Sequence, residues 1–204
     1  MLTEQQLTAL TMVFRHGAAD ASLALTRWLG KPSHVSVEQV EQIPLTDATH
    51  ILGDAEGIAC CCAMSMSGQV TGNLILVFDD ASGLALADVL LGQPVGTATT
   101  WGEMETSAAL ETANIIGCAY LNALARFVHQ RADLPHEFVP SPPRFTRDFA
   151  ESLLQFALMN QAISSDIVFL TRTEFRTEGV PVRWSLLFVP DGDCISTLRE
   201  WLEL

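Results

Sequence analysis

Positive charge is scarce in this chain: 11 Lys and Arg residues stand against 24 Asp and Glu, a formal net charge of −13 over 204 residues. Nucleic acids and anionic membrane surfaces are held through cationic footprints, so both are excluded as partners. No apolar run approaches the length of a bilayer span. The opening Met-Leu-Thr-Glu-Gln-Gln lacks the basic and apolar regions of a secretory signal, so a cytoplasmic location is expected. Cysteine is sparse and poorly spaced for structural chemistry: Cys60, Cys61 and Cys62 adjoin, while Cys118 and Cys194 stand alone. That excludes a disulfide framework and metal-ligand spacing, and the five read as reduced small hydrophobes. The histidines His16, His34, His50, His129 and His136 show no HxxxH or HExxH spacing, so no metal site is expected. There is no GxSxG, no Walker A loop and no GxGxxG opening a helix after a strand.

What the chain does have is apolar bulk, 49% of its residues, enough for one domain spanning 1–204 with a full core. Apolar residues at helical spacing from Leu7 to Leu29, with Gly30 as C-cap, predict a first helix. His34 to Ile43 alternates as a strand closed by Pro44, with Glu38 and Glu41 on its wet side. Gly57 to Ser67 and Gly72 to Phe78 flank a Ser-Gly-Gln-Val-Thr turn and read as a β-hairpin. Asp79-Asp80 then offers capping carboxylates, a reading preferred to an acidic metal pocket, ahead of a short helix from Ser82 to Leu91 stopped by Gly92.

A Gly- and Thr-rich loop leads to a central helix from Glu103 to Val128, and the prolines of His129 to Pro143 predict an irregular connection holding at most a short extended piece. Phe145 to Leu158 is expected as a helix, Ile163 to Thr173 and Val180 to Pro190 as a second hairpin around Glu174 to Gly179, and Cys194 to Leu204 as a short amphipathic helix. The fold class is therefore α+β. The order of types nearly repeats, which suggests two pseudo-repeats, about 5–98 and 103–204, related by a pseudo-two-fold axis. At an offset of 99 residues Ala24-Leu25 meets Ala123-Leu124 and Pro44 meets Pro143.

One stretch carries candidate chemistry. In a helix Ser107, Glu111 and Asn114 share one face, a polar stripe on an otherwise apolar run. Asn is a poor residue for a helix interior because its amide competes with the backbone, so its presence asks for a reason beyond a solvated face. At the same offset Met12 lies opposite Glu111 and Arg15 opposite Asn114, so only the second half keeps the polar pair. No Lys or Arg lies within two helical turns of Glu111 and Asn114, so this stripe has no cation with which to grip a phosphate unaided.

The run Ser107-x3-Glu111-x2-Asn114-Ile-Ile-Gly-x-Ala-Tyr-Leu-Asn-Ala-Leu resembles the second active-site helix of the CheC/CheX/FliY family of chemotaxis phosphatases. Val139-Pro-Ser-Pro-Pro143-Arg-Phe-Thr-Arg-Asp148, Gly72 to Asp79, and Ala24-Leu25 with Leu29-Gly30-Lys31 resemble further family segments, so the likeness covers most of the chain. Two departures accompany it: Met12 and Arg15 stand where a double-site member carries its first Glu and Asn, and Pro140 and Pro143 lie beyond the family's spacing for the motif proline.

The resemblance implies a CheC-like pseudo-two-fold fold, a central antiparallel or mixed sheet flanked by two long helices and shorter ones. It implies hydrolysis of the aspartyl phosphate on a CheY-type response regulator in chemotaxis or two-component signalling, with Glu111 and Asn114 catalytic, Ser107, Pro140 and Pro143 in partner contact, and a degenerate first site at Met12 and Arg15. No metal or cofactor of its own is implied; Mg²⁺ is expected on the partner receiver domain. The competing reading from the same resemblance is a non-catalytic module docking a receiver domain, a CheD-like deamidase or a flagellar switch component, with a homodimer open. A free-standing small-molecule phosphatase is disfavoured by the missing cations and predicts turnover of p-nitrophenyl phosphate.

Overall fold

The computed structural model describes residues 1–48, 57–132, 138–159, 166–177 and 180–203. Helix α1 (Glu4–Leu29) starts from a capping box: the Thr3 hydroxyl accepts from Gln6 N at 3.3 Å, and Gln6 Oε1 accepts from Thr3 N at 2.8 Å. It ends at Gly30, whose φ of 66° takes the left-handed conformation that L side chains resist. Its buried residues, among them Leu10, Phe14, Gly17, Ala21 and Leu25, recur at helical period and face the core.

Strand β1 (Ser33–Pro44) forms one edge of the sheet. Its register against the neighbouring strand shifts between Val37 and Val40, and there the Val40 N–H donates to the Thr11 hydroxyl of α1 at 3.0 Å. Ser22 Oγ accepts from Val35 N and Thr26 Oγ1 from Ser33 N, so hydroxyls of α1 occupy donors along this edge and blunt it against strand addition. A single turn, α2 (Leu45–Ala48), follows.

The hairpin of β2 (Ile58–Gly68) and β3 (Gly72–Asp79) falls where the two apolar segments flanking the Ser-Gly-Gln-Val-Thr turn put it. Helix α3 (Asp80–Leu90) is capped by Asp79, which accepts from Ser82 N at 2.8 Å. Helix α4 (Glu103–Ala132) is longer than its apolar periodicity predicts, since His129 to Ala132 continue the helix; the prolines that bar helix lie farther on. Residues 133–137, with His136, and residues 49–56, with His50, lie outside the described residues.

Two short strands come next, β4 (Phe138–Pro140) and β5 (Arg144–Phe149), and the second corrects the expectation of a helix from Phe145. Arg144 to Phe149 pair in antiparallel register with Ala63 to Ile58, and the open edge of β2 satisfies backbone groups that a helix there would satisfy internally. The helix begins only at α5 (Ala150–Leu158). Strand β6 (Ile167–Thr177) runs past the expected turn at Glu174, because Glu174 to Thr177 pair with Arg183 to Val180 of β7 (Val180–Pro190). The hairpin tip at 178–179, and Ile163 to Ser165 ahead of it, lie outside the described residues. A 3₁₀ turn, Gly192–Cys194, leads to α6 (Ile195–Glu203), with Leu204 undescribed.

All pairings in the seven-stranded sheet are antiparallel, in the order β1-β6-β7-β3-β2-β4 with β5 also on β2. The order reads alike from either end: the third strands of the two halves meet at the centre, and each half's first strand pairs with the other half's second. The long helices begin 99 residues apart, but Pro44 closes β1 whereas Pro143 precedes β5, so the offset widens along the strands.

Apolar residues lie on both faces of the sheet. One face packs α1, α4 and α6 over Cys60, Leu74, Leu76, Phe78, Phe169 and Phe188. The other places α5 over Cys61, Ile75, Val77, Leu170 and Leu187. The two long helices touch where α1 carries Gly17: a Cβ there would lie 2.9 Å from Tyr120 Cα, closer than such contacts run. Phe14 meets the Tyr120 ring edge-on at 5.1 Å.

Candidate functional site

Helix α4 carries the stripe, and its packing decides which way the stripe points. Ala109, Ala113, Ile116 and Tyr120 are buried toward the sheet. Gly117 lies so close to β2 that a Cβ would meet Met64 Sδ at 2.5 Å, and Cys62 Sγ lies 3.8 Å from the Ala109 carbonyl. With that face fixed, Ser107 and Glu111 emerge exposed and Asn114 half-buried, all directed away from the sheet. The carboxamide of Asn114 is thus outside the core, and its Oδ1 accepts from the Cys118 thiol at 3.7 Å. Glu111 makes no ion pair with another described residue, and its charge, second to desolvation, raises the pKa of Cys118. Glu111, Asn114 and Cys118 therefore form one cluster.

Met12 and Arg15 are exposed on α1, with Met12 in the groove between α1 and α4 beside His16, Phe127 and Arg126. Arg126 pairs with Asp20 across the helices, which occupies the nearest downstream cation of α4. Pro140 pairs with Met66 at the end of β4, and Pro143 immediately precedes β5, so both stand at the sheet edge rather than on α4. Strands β4 and β5 do touch α4. Ser141 fastens the connection between them, donating its N–H to the Ser65 carbonyl at 2.8 Å and accepting from Ser65 N at 3.0 Å through its hydroxyl.

The start of α4 is braced by residues whose roles sequence reasoning missed. Asp80 receives Arg147 Nε at 2.6 Å and Nη2 at 3.0 Å, Trp101 Nε1 at 2.8 Å and the Cys60 thiol at 3.6 Å. The Arg147 bonds lead in holding its carboxyl below the usual range. This cluster ties β2, α3, β5 and the entry to α4 together. Asp79 and Asp80 are thus a cap and an ion-pair anchor, and no group of three or more His, Cys, Asp or Glu that could hold a metal occurs among the described residues. Asp88, fully buried, accepts from Gly96 N and Thr97 N with Oδ2 and from Ala98 N with Oδ1, fixing the loop before Trp101. The i, i+4 spacing of Asn114 and Cys118 was the one signal that pointed to Cys118; Asp88 left none, because its partners are backbone groups.

Comparison with known proteins supplies the kinship. The chain is 22% identical over 201 residues to the CheY-P phosphatase CheC of Bacillus subtilis, covering 97% of this chain and 93% of that one. It is 21% identical over 153 residues to CheC1 of Halobacterium salinarum, covering 75% and 74%. Among solved structures, FliY of Thermotoga maritima superposes with a TM-score of 0.78 at 18% identity, over 100% of this chain and 98% of that one. The chain is similar in sequence to CheC proteins and in fold to FliY. No family model matches it. The same fold is found in the FliM middle domain of H. pylori, with a TM-score of 0.70 at 12% identity over 98% and 99% of the two chains. No helix among the described residues is long and apolar enough to cross a membrane.

Proposed function

We propose that the chain hydrolyses the aspartyl phosphate of a CheY-type response regulator, using Glu111 and Asn114. The observation that carries this reading is a carboxylate and a carboxamide one turn apart on the outward face of α4, without a Lys or Arg within two turns along that helix. Phosphoryl transfer is largely positioning plus charge neutralisation, and a site without cations suits a substrate that brings its own. A receiver domain does so, with bound Mg²⁺ and a Lys beside its phosphorylated Asp. Asn114 then enters beside the acyl phosphate and orients a water for in-line attack on phosphorus, while Glu111 pairs with the receiver's Lys and fixes the register. Ser107 and the edge around Pro140 and Pro143 border the contact. Such a partner places the chain in the cytoplasm.

The test is to add the protein to a receiver domain phosphorylated with acetyl phosphate and follow loss of the acyl phosphate. Asn114→Ala should slow the stimulated decay on the order of 10²-fold, the scale of a lost positioning group. If Asn114→Ala matches wild type, Asn114 has no such role.

A second reading is favoured by a separate observation: FliM middle domains share this fold over nearly the whole chain, and one solved structure is a FliG–FliM complex from H. pylori, with a TM-score of 0.67. On that reading the chain docks a receiver, a CheD-like protein or a flagellar component without chemistry. Binding would then survive Glu111→Ala with Asn114→Ala, and phosphate loss would go unstimulated in the wild type.

A further inference from the structure

Small hydroxyl side chains inside helices bond back to the carbonyl four residues earlier. Thr112 does so to Ala108 at 2.9 Å and Ser22 to Ala18 at 2.7 Å. Cys118 differs: its Sγ lies 3.7 Å from a side-chain oxygen, Oδ1 of Asn114, one turn before it. A thiol donates one hydrogen and the carboxamide offers one acceptor and one donor end, so the pairing fixes which end of Asn114 is engaged. Oδ1 turns toward the following turn of α4, where Cys118 stands, and Nδ2 is left for another partner. Without such an anchor the two ends of an amide are nearly isosteric and the side chain is free to flip.

We propose that Cys118 is a positioning residue for Asn114, presenting the Nδ2 end of its carboxamide to the phosphoryl oxygens of the partner while Oδ1 keeps a lone pair for the attacking water. The role rests on the phosphatase reading above. Cys118 sits half-buried, and burial together with the nearby Glu111 charge favours the protonated thiol, the form that donates. Glu111 and Cys118 therefore flank Asn114 on the same helical face, one setting the register with the partner and the other setting the rotamer.

The experiment uses the full chain and a CheY-type receiver phosphorylated with acetyl phosphate, comparing wild type, Cys118→Ala, Cys118→Ser, Asn114→Ala and the Cys118→Ala, Asn114→Ala pair. Cys118→Ala should lower kcat about three- to tenfold, the worth of one hydrogen bond, with KM unchanged. Cys118→Ser, whose hydroxyl bonds back to the Asn114 main-chain carbonyl as those of Thr112 and Ser22 do to theirs, should lose as much as Cys118→Ala, and the double variant should be no slower than Asn114→Ala alone. Independently of turnover, the Asn114 side-chain NH₂ resonances in a ¹H–¹⁵N spectrum should move in Cys118→Ala and in Cys118→Ser alike. Wild-type kcat in Cys118→Ala beside a slow Asn114→Ala overturns the positioning role and leaves the phosphatase reading standing. A fast Asn114→Ala overturns the role of Asn114 in the phosphatase reading and with it the positioning role of Cys118. Unmoved amide resonances in Cys118→Ala overturn the hydrogen-bonding role itself.

Discussion

Asp88 offers the sharpest test of how the loop before the candidate site is held. Its carboxylate is fully buried and accepts three backbone N–H groups: Gly96 at 2.8 Å and Thr97 at 3.0 Å on Oδ2, and Ala98 at 2.8 Å on Oδ1. Asn is nearly the same shape but has a single acceptor atom. Either its oxygen serves Gly96 and Thr97 and its NH₂ opposes the Ala98 N–H, or the reverse, so at least one donor is left facing a donor. An unpaired buried donor costs about 1–3 kcal/mol, and the loop is exposed enough for water to recover part of that. Asp88→Asn should therefore destabilise by about 1–2 kcal/mol, and Asp88→Ala, which removes every acceptor and leaves a void, by about 3 kcal/mol. Urea unfolding should show a lower midpoint at unchanged m-value, and hydrogen exchange should quicken at Gly96, Thr97 and Ala98 before the rest of the fold. Both variants lying within about 0.5 kcal/mol of wild type would refute the reasoning, because the carboxylate would then be replaceable by solvent.

Two further outcomes follow from packing and burial. Cys60, Cys61 and Cys62 are buried in adjacent positions of β2, and burial leads in raising all three thiol pKa values, that of Cys61 from 9.0 to about 11. A folded pKa above the unfolded one gives stability that is complete below pH 9 and lost as pH climbs toward the folded value. Between pH 9 and 11 each thiol should therefore cost about 1.4 kcal/mol per pH unit, and urea titrations across that window should show a slope that Cys61→Ala reduces by one thiol's share; a flat profile would contradict buried, neutral thiols. At the helix crossing, Gly17→Ala sets a Cβ 2.9 Å from backbone and 3.1 Å from the ring of Tyr120, so α1 and α4 must part. The strain, about 1–3 kcal/mol, exceeds the gain in helix propensity of roughly 1 kcal/mol, and the thermal midpoint should fall rather than rise.

How much of this was legible beforehand depended on the range of the interactions involved. The Thr3 box and the left-handed Gly30 are local, and so α1 could be read within a few residues. The same holds for the β2–β3 hairpin, whose apolar strands and short turn are contiguous. Ser107, Glu111 and Asn114 could be placed on one face from the helical period alone. Arg144 to Phe149 could not be assigned, since its strand conformation comes from pairing with β2, more than 80 residues earlier. The Asp80–Arg147 pair and the staple from Asp88 were hidden for the same reason: both depend on groups that the fold brings together.

The sequence by itself determined an acidic, apolar-rich α+β chain, its two long helices, and a carboxylate and carboxamide one turn apart, because composition, caps and periodicity are properties of neighbouring residues. Only the tertiary structure decided that the face opposite the stripe is the buried one, that strands of the two halves interleave in one antiparallel sheet, and that the Cys118 thiol engages Asn114. Backbone pairing at long separation and the close approach of Gly117 to Met64 are set by the whole chain, and they turn that stripe outward.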